Sequence, residues 1–214
     1  MLLVEQFEVK SGSGRTLDVE VYGLTDYAQA LDVMREFSSQ RDESARDRIW
    51  LIEHPRVYTQ GTACDQQTLL PSAIPIVKTD RGGQITYHGP GQIVMYPLIN
   101  LRRFGIGVKS LVNSLEQSVI DTLGEFSITA QRRTDAPGVY VEQAKISALG
   151  LRLRRGNSYH GLSFNIDMDL SPFANIDPCG YQGLQVTQLC DLVSEIPLQG
   201  QIGRLLVDKF VANL

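Results

Sequence analysis

Apolar and polar positions divide the chain into short elements. Tyr27, Leu31, Met34 and Phe37 fall on one face of a helix, and Thr25, a favourable capping type, marks its predicted start. Val108, Leu111, Val112, Leu115 and Val119 keep the i, i+3, i+4, i+7, i+11 spacing of a second helix over about 108–123. Between them, Ile49-Trp50-Leu51-Ile52 reads as a buried strand stopped by His54-Pro55. Residues 74–101 read as strand and turn, with Ile76-Val77 and 93–96 as apolar runs and Gly82-Gly83 and Gly89-Pro90-Gly91 as punctuation. Three further strands are predicted at Val139-Tyr140-Val141, 146–153 and 159–166, the last two joined by a turn at Gly156-Asn157. Leu151-Arg152-Leu153-Arg154 alternates strictly, which places both arginines on one face of a half-buried strand. Ser11-Gly12-Ser13-Gly14 suits a hairpin or loop. After Pro172 the chain should run irregularly through Pro178-Cys179-Gly180. Two helices are expected to close it, one from Thr187 and one around Ile202, Leu205, Leu206 and Phe210. The order α, β, β, α, β, β, β, α, α predicts an α/β (α+β) fold. It is a mixed sheet with flanking helices and alternates too irregularly for a Rossmann sheet.

Composition narrows the possibilities further. The 214 residues suit one domain spanning 1–214. With 43% hydrophobic and 21% charged residues, a packed core is available, and collagen, low-complexity disorder and coiled coil are excluded. Twenty basic residues against 24 acidic ones argue against a nucleic-acid partner. No apolar run reaches the ~18–20 residues of a membrane span. Met1-Leu2-Leu3-Val4-Glu5 has no basic lead-in, so it does not read as a secretory signal. Cys64, Cys179 and Cys190 are odd in number and far apart, which fits a reducing cytoplasm better than a disulfide framework.

The chemistry-bearing positions are few. No phosphate-binding loop, dinucleotide fingerprint or serine-hydrolase elbow occurs. His54, His88 and His160 are widely spaced and form no metal-ligand pattern. Cys64 and Cys190 read as packing cysteines. Cys179, between Pro178 and Gly180, sits on a turn and is either a buried turn thiol or an exposed nucleophile. Lys145, in a mainly apolar strand region, is either a lysine whose stem packs while its ammonium reaches water, or a functional amine. Arg81-Gly82-Gly83-Gln84-Ile85-Thr86-Tyr87-His88-Gly89-Pro90-Gly91-Gln92 carries four glycines in twelve residues. It is either a plain hairpin or a segment whose backbone approaches a ligand.

Taken together, these pieces resemble the lipoyl(octanoyl) transferases of lipoate biosynthesis. The glycine-rich run resembles that family's longest motif, and Tyr96-Pro97-Leu98 follows it in the same order. Lys145 with Ala148-Leu149-Gly150 is similar to its lysine motif. His160-Gly161-Leu162-Ser163-Phe164-Asn165 resembles its next strand, and Pro178-Cys179-Gly180 its cysteine turn. The resemblance spans residues 25–195. It implies a fold like the catalytic domain of biotin and lipoate protein ligases, and transfer of an octanoyl (or lipoyl) group from acyl carrier protein to a lysine of lipoyl domains. Those acceptors belong to 2-oxoacid dehydrogenase complexes and the glycine cleavage H protein. Cys179 would be the nucleophile and Lys145 would lower its pKa and shuttle protons. Residues 81–88, 148–150 and 161–163 would bind substrate, with no cofactor and no metal. Asp177 departs from the usual uncharged neighbour of the Pro-Cys pair, and it is expected to point away from the sulfur.

The chemistry is coherent on its own terms. A free cysteine of pKa ~8.5 is only ~3% thiolate at pH 7, and lowering its pKa to ~6.5 raises that to roughly 75%. A neighbouring ammonium has that effect. The same lysine, once neutral, can take the proton of an incoming amine. A thioester is already activated, so no nucleotide is required. An ATP-dependent lipoate or biotin ligase on the same fold, and a non-catalytic carrier-binding module, remain as alternatives. Co-occurrence of Cys179 and Lys145 is the feature neither requires. Residues 131–155 hold Arg132, Arg133, Lys145, Arg152, Arg154 and Arg155 against Asp135 and Glu142. That basic stretch, with Arg81 and Lys109, is expected to guide an acidic carrier protein.

Overall fold

The computed structural model describes residues 1–64, 73–134, 136–176 and 185–214. The chain opens with β1 (Leu3–Lys10) and β2 (Thr16–Leu24), a hairpin turning through Ser11–Gly14. Neither strand figures in the predicted order, although Leu17, Val19 and Val21 alternate with Asp18 and Glu20 as a strand should. Helix α1 (Tyr27–Gln40) follows. Its cap is Asp26 rather than Thr25. Asp26 Oδ1 accepts from the Gln29 amide at 3.0 Å, whereas the Thr25 hydroxyl turns back to Gly23 O at 2.9 Å. Strand β3 (Arg48–Glu53) lies parallel to β2.

A small sheet, ordered β5-β4-β6, is built from β4 (Val57–Gln60), β5 (Ile76–Lys78) and β6 (Ile85–His88). The chain continues through β7 (Gln92–Leu98), the single-turn α2 (Leu101–Phe104) and α3 (Val108–Gly124). Then come β8 (Gln131–Arg132), β9 (Val139–Val141), β10 (Ala144–Arg154) and β11 (Asn157–Asn165). Helix α4 (Gln199–Ala212) closes the chain. The large sheet is ordered β1-β2-β3-β7-β11-β10-β9-β8.

Alternation along its strands sends side chains to two separate cores. Ile49, Leu51, Ile93, Met95, Leu162 and Phe164 enter one core with Leu111, Leu115 and Val119 of α3 and Leu206 and Phe210 of α4. Trp50, Ile52, Val94, Tyr96, Leu98 and Tyr159 enter the other with Tyr27, Leu31 and Met34 of α1. The sheet is therefore covered on both faces, a mixed α/β architecture as predicted. Among the described residues no helix is long and apolar enough to cross a membrane.

The helix expected from Thr187 does not form. The Lys145 amide donates to Gln185 O at 2.8 Å, the Thr187 amide to Lys145 O at 3.0 Å, and the Cys190 amide to Ile166 O at 2.9 Å. Backbone groups that a helix would need are thus committed to β10 and to the end of β11. Only one 3-10 turn, Leu189–Asp191, remains. A second 3-10 turn, Ser171–Asn175, carries Phe173 against the small sheet. Asp177, Pro178, Cys179 and Gly180 lie outside the described residues.

Candidate active site

A cleft with about 720 Å3 of empty space, its open mouth included, lies where the glycine-rich segment crosses β10 and β11. Its walls take Arg81, Gly83, Gln84, Ile85, Thr86 and His88 from the segment, Ala148, Leu149 and Gly150 from β10, and Gly161, Leu162 and Ser163 from β11. Lys145 opens into the same space. Gly82 and Tyr87 support that wall from behind without lining the cleft. The Gly82 amide donates to Leu151 O at 2.9 Å, and Tyr87 packs edge-on against Phe173 at 5.4 Å. Tyr27, Tyr96, His160, Asn165 and Val186 also line the cleft, although none of them was expected to. Tyr27 reads from sequence as an ordinary core position of α1. Tyr96 and His160 carry a signal only through the motifs that contain them.

Lys145 reaches the cleft through a β-bulge. On β10, Lys145 and Ser147 pair with consecutive β9 residues, Tyr140 and Val139, so Ile146 is the extra residue. Such an insertion re-aims the neighbouring side chains. Ile146 enters the core with α3, and Lys145 turns into the cleft at 3% exposure, so it does not extend to bulk water. Its Nζ donates to Pro137 O at 3.1 Å and lies 5.2 Å from the centre of the Tyr140 ring. The loop beneath is itself held, because the Gly138 amide donates to Glu116 Oε1 at 3.0 Å and Tyr140 Oη donates to Ala136 O at 2.9 Å. Gly138 sits at φ 139°, where a Cβ would approach Ser147 O to 2.6 Å and Lys145 Cε to 3.1 Å. Burial pushes the Glu116 carboxyl up, against the hydrogen bond from Gly138 and the charges of Arg132 and Lys145.

The three histidines, distant in sequence, converge under the cleft. His54 Nδ1 lies 2.7 Å from Thr25 O and His54 Nε2 lies 2.8 Å from Tyr96 Oη. A carbonyl can only accept, so Nδ1 carries the proton and Nε2 accepts from the tyrosine. His88 Nδ1 lies 2.7 Å from Gln92 Oε1, while the Gln92 amide group donates to Asn165 Oδ1 at 2.9 Å. Nδ1 is therefore again the donor. Burial lowers the imidazole pKa to about 4 for His54 and about 3 for His88, so both rings are neutral near pH 7. The Tyr27 ring stacks on His88 at 5.5 Å. Among the described residues no three His, Cys, Asp or Glu side chains gather as metal ligands.

Two expectations about charge need correction. Arg81 is not on the surface. It is 7% exposed, and its guanidinium donates to Thr59 O at 2.5 Å and Thr59 Oγ1 at 2.9 Å, which ties the glycine segment to β4. Lys145 is likewise inside. The exposed basic strip is Arg152, Arg154 and Arg155. Ala148, Gly150, Arg152 and Arg154 share one face of β10, whereas Leu149, Leu151 and Leu153 pack toward the α3–α4 core. The strip therefore continues directly from the cleft lining.

Cys64 and Cys190 are half-buried, and Cys64 packs against the cluster of the small sheet. Burial, followed by contact with the carboxylates of Asp167 and Asp191, pushes the Cys190 thiol up to about 12, which makes it a poor nucleophile. Cys179 lies outside the described residues; Gln185, six residues further along the sequence, accepts from the Lys145 amide.

Residues 26–210 match the family model for the lipoyl protein ligase A/B catalytic domain. The chain belongs to that family. An octanoyltransferase of Cellvibrio japonicus is 53% identical over 199 residues, covering 92% of this chain and 93% of the relative. An octanoyltransferase of Nitrosomonas eutropha is 50% identical over 206 residues, covering 96% and 91%. Among solved structures, a bipartite lipoate protein ligase of Thermoplasma acidophilum superposes with a TM-score of 0.72 at 13% identity, covering 91% of this chain and 81% of the other. A biotin protein ligase of Aquifex aeolicus bound to biotin and ATP superposes at 0.58 and 14% identity, covering 90% and 69%. These two likenesses establish the fold.

Proposed function

We propose that the protein moves an octanoyl group from an acyl carrier protein to a lysine of a lipoyl domain through a thioester on Cys179. Octanoyl transfer itself follows from the family and from relatives half identical over nearly their whole length. One observation carries the finer reading. Lys145 is a buried amine at an apolar cleft, its side chain aimed there by a bulge and its backbone bonded to Gln185 and Thr187, six and eight residues after Cys179 in the sequence. The thiolate would attack the acyl carbonyl, and the carrier's thiolate would leave with a proton from the Lys145 ammonium, which leaves that amine neutral. The acceptor amine would then attack the enzyme thioester, passing a proton to the neutral Lys145 as the Cys179 thiolate departs.

Two further features support the reading. His54 and His88 beneath the cleft are neutral, so neither ring competes with Lys145 for the thiolate. The Arg152–Arg154 strip borders the cleft on the same face and suits an acidic carrier.

The test is to mix the protein with an octanoyl thioester, without ATP, and to locate the adduct by mass spectrometry. An acyl group on Cys179 is expected, and Cys179→Ser should form none and transfer none. Transfer that persists in Cys179→Ser, or that needs ATP, refutes the mechanism.

A further inference from the structure

We infer that His160 is a positioning residue: it clamps the Arg81-Gly82-Gly83 wall of the cleft to β11 from a left-handed backbone conformation that Pro97 and Gly161 make possible. The starting point is an irregularity in the middle of the large sheet. β11 pairs with β7 at Leu162 and Met95, and again where the Ser158 amide donates to Ile99 O at 2.8 Å. That register sets His160 opposite Pro97. Proline is rare in an interior strand because it has no N–H for the ladder. Here its carbonyl is satisfied by the Ser158 hydroxyl at 2.6 Å.

Strict alternation would send His160 to the face of Leu162 and Phe164, into the core with α3 and α4. It does not go there. His160 has φ 58°, a sparsely populated conformation for a residue with a side chain. Its ring instead lies beside that of Tyr159, with centroids 5.1 Å apart and planes inclined by 28°. Consecutive side chains of a regular strand cannot share a face, and the left-handed residue is what allows it. Leaving the ladder at this point strands no donor on β7, since Pro97 has none. Gly161 completes the arrangement, because a Cβ there would lie 1.9 Å from Met95 O.

The outcome is a double grip on Asp80. Tyr159 Oη donates to Oδ2 at 2.6 Å, and His160 Nε2 donates to Oδ1 at 3.0 Å. A carboxylate accepts, so Nε2 holds the imidazole proton and Nδ1 is left facing the Tyr27 hydroxyl at 3.5 Å. Arg35 of α1 adds an ion pair to Asp80 at 3.2 Å. Asp80 directly precedes the Arg81-Gly82-Gly83 wall. Two residues on, the Gly82 amide is bonded to Leu151, the β10 partner of His160. The wall is thus fastened to β11 and β10 at successive points beside the cleft. The His160–Asp80 bond is also the foremost reason the Asp80 carboxyl lies well below the usual range. A fixed wall sets a fixed width, and width decides which acyl chains fit.

This inference rests on the cleft being the acyl site. His160→Gly keeps the positive φ but removes the imidazole, and His160→Asn tolerates the φ and keeps a donor. In His160→Gly, kcat/KM for an octanoyl thioester should fall about ten-fold, the scale of one lost hydrogen bond to a charged group. Its preference for octanoyl over dodecanoyl should collapse, and the Gly82 amide should exchange faster with solvent. His160→Asn should recover part of the preference. Adding Asp80→Asn to His160→Gly should cost less than the sum of the two single changes, since both break the same bond, and what it adds is the loss of the Tyr159 and Arg35 contacts. If His160→Gly folds poorly, Asp80→Asn alone carries the same selectivity measurement. A variant that loses stability but retains the wild-type chain-length ratio overturns the inference, as does a wild type with no chain-length preference. Failure of the acyl-site reading is seen separately, as absence of a Cys179 adduct in the wild type.

Discussion

Neutral, buried His54 and His88 should make the protein sensitive to mild acid, well above the range where carboxylates titrate. An ordinary imidazole titrates near 6.5, whereas His54 and His88 are held at about 4 and about 3. As pH falls through 6.5 the unfolded chain therefore takes up protons that the folded chain refuses. The stability these rings contribute is fully present above pH 6.5 and is lost progressively down to their folded values. Each contributes up to about 1.4 kcal/mol per pH unit. Between pH 7 and pH 5 the two together should cost about 3.5 kcal/mol, a large share of a typical ~5–15 kcal/mol. The figure hardly depends on the folded values, provided both lie below 5. Trp50, the sole tryptophan, is 1% exposed, so its fluorescence reports unfolding directly. Urea titrations at pH 7, 6 and 5 give the slope. His54→Gln and His88→Gln should each remove about half of the contribution of these two rings, and subtracting variant from wild type cancels His160 and the carboxylates common to both. An unchanged slope in both variants would show that these rings are protonated in the native state, and the argument for a neutral cleft floor would fail.

Other expectations concern transfer itself. Lys145→Arg keeps the positive charge but cannot give up its proton. Single-turnover measurements should show octanoylation of Cys179 partly retained and transfer to the lipoyl-domain amine stalled, whereas equal slowing of both halves would leave Lys145 as a fixed charge only. Arg152→Glu combined with Arg154→Glu should raise the KM for a carrier-protein-bound octanoyl donor several-fold, an effect that weakens with added salt. It should leave octanoyl-pantetheine nearly unaffected, and equal behaviour of the two donors would remove the strip as a docking surface.

How far the molecule could be read from its sequence depended on regularity. α3 and the β10–β11 pair emerged because apolar spacing holds over two turns or more in the helix and over several alternations in Leu149, Leu151 and Leu153. Where short-range pattern and tertiary pairing disagreed, the pattern lost. Leu189, Leu192 and Val193 look helical, yet the Thr187 and Cys190 amides are committed to the sheet. The N-terminal hairpin went unread for a related reason. Asp18 and Glu20 are themselves buried, with Arg46 and Arg48 paired to them, so the polar half of the alternation does not mark an exposed face.

The site is the extreme case of that conflict. Periodicity places Ile146 on the cleft face and His160 in the α3–α4 core, and the structure reverses both. Each reversal is produced by a local break, an inserted residue at Ile146 and a positive φ at His160, and each break delivers a polar side chain to the cleft. Neither could survive in a strand chosen for stability alone, since a bulge interrupts the ladder and a left-handed histidine is strained. Their neighbours compensate: Gly138 leaves room for the lysine arm, Pro97 gives up no donor, and Gly161 lets two backbones meet. A motif carries this information where a hydrophobic pattern cannot, because glycine and proline record what the backbone must do at a point. The residues that anchor the cleft, Lys145 and His160, were therefore legible as members of motifs while their direction was not.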